Sequence, residues 1–320
     1  MKVHSNAREF SSDRPVVLTI GTFDGVHAGH RAVLDLLKQR AEECGGDTVL
    51  LTFDPHPRKV LQPDQNPLRL LNTLEEKKRL LMATGLNHLV VQEFTEELSR
   101  KTPLEYVREL FAEGIKPAQV IVGYDHRFGR NREGSFDSLV NLGRVFGFTV
   151  EELPAQTVED TRVSSTKVRE AIAEGQLGLA QKWLKHPYPM SGIVVRGEQL
   201  GRKLGYPTAN LAVDHAIKLI PGQGVYAAWA QLEGEESYLP AMVNIGTRPT
   251  VTAIGSPVKI EVHLLSGGRQ CYDERLSVLF VERLRDEMTF DGLKGLTAQL
   301  HEDEHKARAI LNNPSLNSRD

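Results

Sequence analysis

Short apolar runs rich in β-branched residues alternate with amphipathic segments through the first half of the chain, which predicts a parallel sheet with crossover helices. The runs cover Val16 to Ile20, Thr48 to Phe53, Leu89 to Phe94, Gln119 to Gly123 and Phe148 to Leu153. Between them Val33, Leu36, Leu37 and Ala41 recur at helical spacing, as do Leu104, Val107, Leu110 and Phe111. Thr73 with Glu76 forms a capping-box start, and Thr102 with Glu105 forms another with Pro103 at the first helical position. The expected class is a doubly wound α/β domain, whose ligands bind beyond the carboxyl ends of the strands.

The pattern changes at Lys185-His186-Pro187-Tyr188-Pro189, where two prolines stop the preceding helix and impose an extended connection. The domain boundary is placed there, giving residues 1–186 and 187–320. Beyond it, Ile193 to Val195, Val225 to Ala230, Ala241 to Ile245, Lys259 to Leu265 and Leu276 to Phe280 are β-rich runs separated by Gly and Pro turns. Their spacing predicts a small antiparallel β-barrel. A terminal helix is expected from about Asp291, with Leu293, Leu296, Leu300, Ala307 and Ile310 on one face. The sequence contains no internal repeat, no Walker A pattern and no G-x-G-x-x-G.

Composition narrows the partners. The 320 residues are 40% hydrophobic and 25% charged, in line with globular proteins, and no apolar run reaches membrane-spanning length. A net charge of -3 speaks against a protein that grips nucleic acid through many phosphates. Anionic ligands must then be held by local arrangements of groups. Two distant cysteines, Cys44 and Cys271, suggest neither a disulfide framework nor a zinc site, and read as reduced structural thiols. The polar stretch Met1 to Pro15 lacks the features of a secretion or transit signal, so a cytoplasmic location is expected.

Directly after the first run stands Gly21-Thr22-Phe23-Asp24-Gly25-Val26-His27-Ala28-Gly29-His30. Two imidazoles three residues apart at a helix start, with Gly29 keeping the backbone low between them, can hold a phosphate chain with ring N–H donors and the helix dipole. Asp24, His27 and His30 could alternatively ligate a metal, or the histidines could be incidental to a loop. Farther on, Arg162-Val163-Ser164-Ser165-Thr166-Lys167-Val168-Arg169 places hydroxyls and backbone N–H groups at a helix start between two guanidiniums, an anion pocket in form, although a serine–threonine run there can be a plain cap. The ten-residue string resembles the HxGH signature of the nucleotidyltransferase superfamily. In its Gly-x-Phe-Asp-Gly form it resembles the adenylyltransferase module of bifunctional riboflavin kinase/FAD synthetases. Phe53-Asp54-Pro55-His56-Pro57 and Gly123-Tyr124-Asp125-His126-Arg127-Phe128-Gly129 match two further blocks, His126 departing from the family's usual Phe.

The resemblance implies a Rossmann-like domain with His27 and His30 catalytic. It further implies ATP contacts from Gly21, Phe23, Asp24, Gly29, Asp125, Arg162, Ser165, Thr166 and Arg169, and a flavin site formed by Phe53, Pro55, His56, Pro57 and Phe128. The reaction it implies is attack of an FMN phosphate oxygen on the α-phosphorus of ATP with release of pyrophosphate.

In the second half a glycine-rich turn from Gly197 through Gly201 and Arg202 to Gly205 leads into Tyr206-Pro207-Thr208-Ala209-Asn210-Leu211. Backbone amides of such a turn can approach phosphates, and the Thr208 hydroxyl with the Asn210 amide oxygen are hard ligands suited to Mg²⁺. Taken alone, the hexapeptide would also serve a simple strand-to-turn corner. Around it, Pro221 to Tyr226, Asn244 to Thr250, Glu261 to Leu265 and Leu284 to Phe290 resemble blocks of the riboflavin kinase module, in that family's order. That resemblance implies Glu261 as the carboxylate toward the riboflavin 5′-hydroxyl, Gly197, Gly201 and Arg202 at the ATP phosphates, and Arg285 and Phe290 at the flavin. His301-Glu302-Asp303-Glu304-His305 fits H-E-x-x-H, but no third ligand follows, and it is read as a solvated helix face.

The leading expectation is a bifunctional transferase making FMN and then FAD from riboflavin and two ATP, with Mg²⁺, without nucleic-acid or membrane partners and with its oligomeric state open. One alternative is a single-activity adenylyltransferase whose barrel only binds flavin. Another is a relative of the aminoacyl-tRNA synthetases, disfavoured by the lack of a Lys-Met-Ser-Lys-Ser-like loop and of excess basic charge.

Overall fold

The computed structural model describes all residues except 63–67, 156, 159–160, 198–200, 202–203, 214–216, 247–257, 268–269 and 314–320. The chain forms two compact units, Met1–Leu68 with Lys77–Ser164, and Arg69–Glu76 with Ser165–Asp320.

In the first unit β1 (Lys2–His4), β2 (Val16–Ile20), β3 (Asp47–Asp54), β4 (His88–Glu93), β5 (Gln119–Gly123) and β6 (Thr149–Leu153) form a sheet ordered β1-β4-β3-β2-β5-β6. Every pairing is parallel, with Leu18 beside Val49 and Val120. Both faces are covered, as an all-parallel sheet requires. Leu18, Ile20, Val49, Leu51 and Val120 enter one core; Val17, Leu50, Leu89 and Ile121 enter the other, against Leu34 and Leu37 of α1 (Ala28–Cys44). The crossovers include α2 (Pro57–Leu61), α3 (Leu74–Met82), α4 (Glu96–Arg100), α5 (Pro103–Val107), which runs on as a π-helical stretch over Arg108–Ile115, and α6 (Phe136–Phe146). Strand order reverses between β2 and β5, so the loops after these two strands border the crevice where such sheets bind ligands. A short hairpin, β7 (Thr157–Val158) with β8 (Thr161–Arg162), follows β6.

The second unit opens with α7 (Ser165–Ala173) and α8 (Leu177–Leu184), which stops at Leu184 as the prolines demand. β9 (Tyr188–Val195), β10 (Ala209–Val213), β11 (Gly224–Leu232), β12 (Leu239–Gly246), β13 (Lys259–Leu264) and β14 (Arg275–Arg285) close into an antiparallel barrel ordered β10-β13-β12-β11-β14-β9. Tyr226 pairs with Val243, and Val243 with Val262, on one face of this sheet. On the other face Ala227, Trp229 and Met242 pack with Ala307 and Leu311 of α9 (Leu293–Leu311). The doubly wound sheet and the barrel with its terminal helix are the architecture that the hydrophobic pattern predicts. The two cysteines form no disulfide; Cys271 is buried and Cys44 exposed.

The segment 69–76 is joined to the barrel's unit by backbone hydrogen bonds, Leu70 N–H to the Ile217 carbonyl at 2.7 Å and Leu219 N–H to the Leu70 carbonyl at 2.8 Å, and by one buried side chain. Lys218, 2% exposed, donates from Nζ to the Leu71 carbonyl at 2.6 Å, the Pro189 carbonyl at 2.6 Å and Glu76 Oε2 at 2.7 Å. Its ammonium also lies 4.3 Å from the Tyr188 ring centroid. The same Glu76 oxygen accepts from the Thr73 backbone N–H at 2.9 Å, completing the capping box expected at Thr73 and Glu76. Breaking a buried pair from one side leaves an uncompensated charge. Lys218→Met should therefore lower unfolding stability by about 3–5 kcal/mol. Adding Glu76→Gln to it should restore part of the loss, read by denaturant titration; a single variant as stable as wild type would refute this assignment.

Candidate functional sites

In the first unit β2 ends at the crevice, where Gly21 N–H donates to the Leu51 carbonyl at 3.1 Å. The chain then turns through left-handed conformations at Phe23 (φ 47°) and Val26 (φ 40°), each a strain of about 1–3 kcal/mol for a side-chain-bearing residue. Burial holds them: Phe23, Asp24, Val26 and His27 are all buried. His27 is the N-cap of α1, its Nδ1 accepting the His30 backbone N–H at 3.4 Å. An accepting Nδ1 assigns the hydrogen of a neutral ring to Nε2, leaving a donor on the other edge. Gly29 allows a close approach, since a Cβ there would lie 3.2 Å from His27 Cε1 and press on that ring.

The rings of His27 and His30 stack at 3.7 Å and 12°, and Phe23 continues the stack on His30 at 4.5 Å and 23°. Burial, then the neighbouring His27 and Lys77, hold His30 well below the usual histidine range. It is a neutral ring at neutral pH, and its buried Nδ1 has no hydrogen-bond partner among the described residues. Among those residues no group of three or more His, Cys, Asp or Glu side chains is gathered as a metal site, which leaves the metal alternative for Asp24, His27 and His30 without support. The arrangement sets two stacked imidazoles at a helix N-terminus, a place suited to a polyphosphate.

Around it, Phe53 is buried against Phe94, ring centroids 5.5 Å apart, and β3 gives way after Asp54 to Pro55, His56 and Pro57. The Asp54–Pro55 peptide is cis, and His56 caps α2 by accepting the Arg58 N–H at 3.2 Å. After β5, Asp125 is exposed and Phe128 buried. The exposed Arg162 lies with its guanidinium carbon 3.8 Å from the Tyr124 ring centroid. Ser165, Thr166 and Arg169 stand in the first turns of α7, in the second unit, where Arg169 Nε donates to the Arg69 carbonyl at 2.9 Å.

In the barrel, register gathers the candidates. Asn210 of β10 lies opposite Glu261 of β13, and Glu261 lies opposite Asn244 of β12. Asn244 pairs with Val225, and Val225 with Arg285. Residues directly opposite share a face, so Asn210, Glu261, Asn244 and Arg285 form one row across neighbouring strands. Asn210 presses on Gly197, where a Cβ would lie 2.1 Å from its Nδ2. Gly201 accepts from Tyr206 N–H at 2.9 Å, closing the turn that leads to Thr208. Thr208 and Asn210 present oxygen donors of the type Mg²⁺ takes, and neither side chain is hydrogen-bonded to another described residue, so the pair fits that ion. Arg202 lies outside the described residues.

Arg285 and the His301–His305 run show partners that the sequence did not announce. Arg285 is committed to Asp303, which is fully buried and accepts from Arg285 Nε at 2.9 and 3.1 Å; its guanidinium carbon lies 5.7 Å from the Phe290 ring centroid. His301–His305 is accordingly more than a solvated face. Besides Asp303, His301 and Glu304 both bond the Tyr206 hydroxyl, at 2.8 and 3.1 Å. Burial, then Glu304, push that phenol up to about 12. His263 Nδ1 lies 2.8 Å from the Pro207 carbonyl, so the turn bearing Thr208 is held from two sides. Sequence reasoning missed Tyr206, His263 and Asp303 as supports. For Tyr206 the available signal was its place directly before Pro207-Thr208.

Residues 9–167 match the family model for FAD synthetase, and 184–311 match that for riboflavin kinase. Bifunctional riboflavin kinase/FMN adenylyltransferases of Escherichia coli K12 and Pseudomonas fluorescens are each 37% identical, over 92% and 93% of both chains respectively. A solved structure named as a macrolide-efflux protein from Streptococcus pneumoniae is 28% identical, with TM-score 0.85, covering 96% of this chain and 98% of that one. Among the described residues no helix here is long and apolar enough to cross a membrane.

His126 stacks on Phe128 at 5.8 Å and 19°, with its Nε2 buried and without a partner among the described residues. Burial, then the Arg132 charge, press it down to about 4, so it stands at neutral pH as an uncharged aromatic ring in the position where Phe is usual. With a folded pKa below the unfolded value, the unfolded chain takes up the proton first. His126 thus contributes stability that is present above about 6.5 and lost as pH falls toward about 4. His126→Phe should show a smaller fall in melting temperature between pH 7 and 4.5 than wild type; equal falls would count against this role.

Proposed function

As the chain belongs to the family of bifunctional riboflavin kinases/FMN adenylyltransferases, it phosphorylates riboflavin and adenylylates FMN, and we propose which of its residues perform each step. The adenylyltransferase domain is taken as residues 1–186 and the kinase domain as 187–320, near the limits of the two family matches. The barrel is the kinase domain, which removes the non-catalytic reading, and family membership removes the synthetase relative. The proposal includes a cytoplasmic enzyme acting on small molecules alone.

In adenylyl transfer an FMN phosphate oxygen bonds to the α-phosphorus of ATP, the bond to the β-phosphate bridging oxygen breaks, and pyrophosphate leaves. No proton has to be removed from the nucleophile, so the protein's task is placement and charge neutralisation. His27 through Nε2–H and His30 through its unpartnered nitrogen are assigned to the phosphates, with Gly21, Phe23, Asp24, Gly29 and Asp125 lining the ATP, and Arg162, Ser165, Thr166 and Arg169 supplying further donors. Phe53, Pro55, His56, Pro57 and Phe128 are assigned to the flavin side. His30's neutrality supports the reading, since a neutral ring beside a second imidazole can hold one N–H toward an anion without repelling its neighbour.

In the kinase step the riboflavin 5′-oxygen bonds to the γ-phosphorus, the β–γ bridging P–O bond breaks, and ADP leaves. Glu261 accepts the hydroxyl proton late, as a loose transition state allows. The observation that carries the assignment is the ladder that sets Asn210 opposite Glu261, joining a metal-type donor and a carboxylate on one face. Thr208 and Asn210 would hold Mg²⁺, which when bound neutralises phosphate charge. Gly197, Gly201 and Arg202 are assigned to the ATP phosphates, with Phe290 and Arg285 at the flavin.

Loss of one preorganised donor typically costs about 100- to 1,000-fold in rate. His30→Ala should lose FAD formation to that extent while riboflavin is still converted to FMN. Glu261→Gln should do the reverse, adenylylating supplied FMN but failing on riboflavin. Chromatographic separation of riboflavin, FMN and FAD reads both; a folded variant that loses both activities defeats the two-site assignment. Saturating chelator should abolish riboflavin phosphorylation, and phosphorylation that persists would remove the metal from this mechanism.

A further inference from the structure

The structure contains a second buried ammonium, and its surroundings differ from those of Lys218. Lys77 of α3 is 6% exposed, and its Nζ donates to the Thr22 carbonyl at 2.7 Å, inside the loop between β2 and α1. Where Lys218 spends its donors on three oxygens, Lys77 makes this one hydrogen bond among the described residues. Burial drives a lysine toward the neutral form, and here the Asp24 and Asp54 carboxylates oppose it. His30 stands in the first turn of α1, which follows that loop; the Lys77 charge helps hold its ring neutral, and its buried Nδ1 has no hydrogen-bond partner among the described residues.

A buried ammonium with one hydrogen bond, made to the loop that leads into the helix of an imidazole whose buried nitrogen has no partner among the described residues, is poorly explained as a staple. Buried polar groups are normally satisfied, and the exceptions mark places where something else completes the hydrogen bonds. The Lys77 ammonium, reaching from α3 into the loop before α1, and the backbone N–H groups at the head of that helix favour anionic oxygen as the missing partner. We propose that Lys77 is a phosphate-binding residue of the adenylyl-transfer site, its ammonium held by the Thr22 carbonyl with two N–H groups available to the polyphosphate that His30 meets. The proposal rests on the assignment of His27 and His30 to that site.

The reverse reaction provides a readout confined to this site, because FAD and pyrophosphate returning to FMN and ATP involves no riboflavin phosphorylation. In the full-length protein Lys77→Met should raise the KM for pyrophosphate about 10- to 100-fold, the range of a hydrogen bond to a charged group. The KM for FAD should change less than twofold, and the riboflavin kinase rate should be unaltered. Lys77→Arg, which keeps the charge, should recover most of the pyrophosphate KM. A pyrophosphate KM within twofold of wild type in Lys77→Met, or an equal rise for FAD and pyrophosphate, overturns the proposal. If Lys77→Met does not fold, Lys77→Arg decides. A pyrophosphate KM near wild type supports a phosphate-binding cation, and a large rise with riboflavin kinase activity intact overturns it. His30→Ala separates the two levels: normal pyrophosphorolysis in that variant removes the site assignment itself, whereas a disabled His30→Ala beside a normal Lys77→Met removes Lys77 alone.

Discussion

A buried ammonium has to be answered by oxygen, and much of this chain's organisation follows from how two lysines meet that condition. Lys218 is answered entirely by protein: two carbonyls and a carboxylate at 2.6 to 2.7 Å. Those acceptors come from 71–76 and from β9, so the ammonium reinforces the backbone hydrogen bonds of Leu70 that join a short piece of the first half of the sequence to the barrel's unit. Glu76, the carboxylate concerned, also caps α3, so one ion pair fixes both a tertiary junction and the start of a helix. The next residue in the chain is Lys77, answered by protein only in part. Consecutive residues of one helix thus show the two uses of a buried charge, as a closed structural joint and as an open donor.

The fold was largely legible because its strands are buried in ways that leave a mark. Val16–Ile20 is buried throughout, and an unbroken apolar run of that length has few other solutions between helical segments. Five of the six barrel strands were legible from their β-rich runs and the turns that separate them; β10 was read only as the end of the turn through Tyr206 to Leu211. What escaped were elements whose residues look polar. β1 is three residues, Lys2-Val3-His4, on a sheet edge where no apolar face is needed. β9 starts at Tyr188, within the proline-rich stretch read as a connection; Pro189 lies where β9 pairs with β14 alone, β10 pairing only from Gly192 onward.

The sites were legible to the extent that their chemistry is local in sequence. His27, Gly29 and His30 lie within one helical turn, and spacing alone brings the two imidazoles together. The strained loop behind them was not legible, since Phe23 and a β-branched Val26 are residues that ordinarily avoid positive φ. Lys77, Lys218 and Asp303 were missed for a common reason: a charged residue in a helical or turn segment reads as solvent-facing unless its partner is known, and the partners lie up to 147 residues away. His301–His305 shows the same limit from the other side. Its spacing matches a metal motif, but Tyr206 and Arg285 give three of its side chains ordinary hydrogen-bonding work.

The two halves solve related problems with different chemistry, and the difference follows from the nucleophile. A phosphate oxygen is already charged, so a site that joins it to ATP needs donors and no base, and an uncharged ring such as His30 suffices if it is fixed. An alcohol must lose its proton, so the barrel adds a carboxylate, and a carboxylate near ATP raises the repulsion that the site must offset. Setting Glu261 between Asn210 and Asn244 places it among neutral amides, neither of which adds negative charge. On the assignment proposed for Glu261, that arrangement keeps the carboxylate available as a proton acceptor, charge neutralisation would fall to a bound metal, and the row exists only because three strands hold register along it.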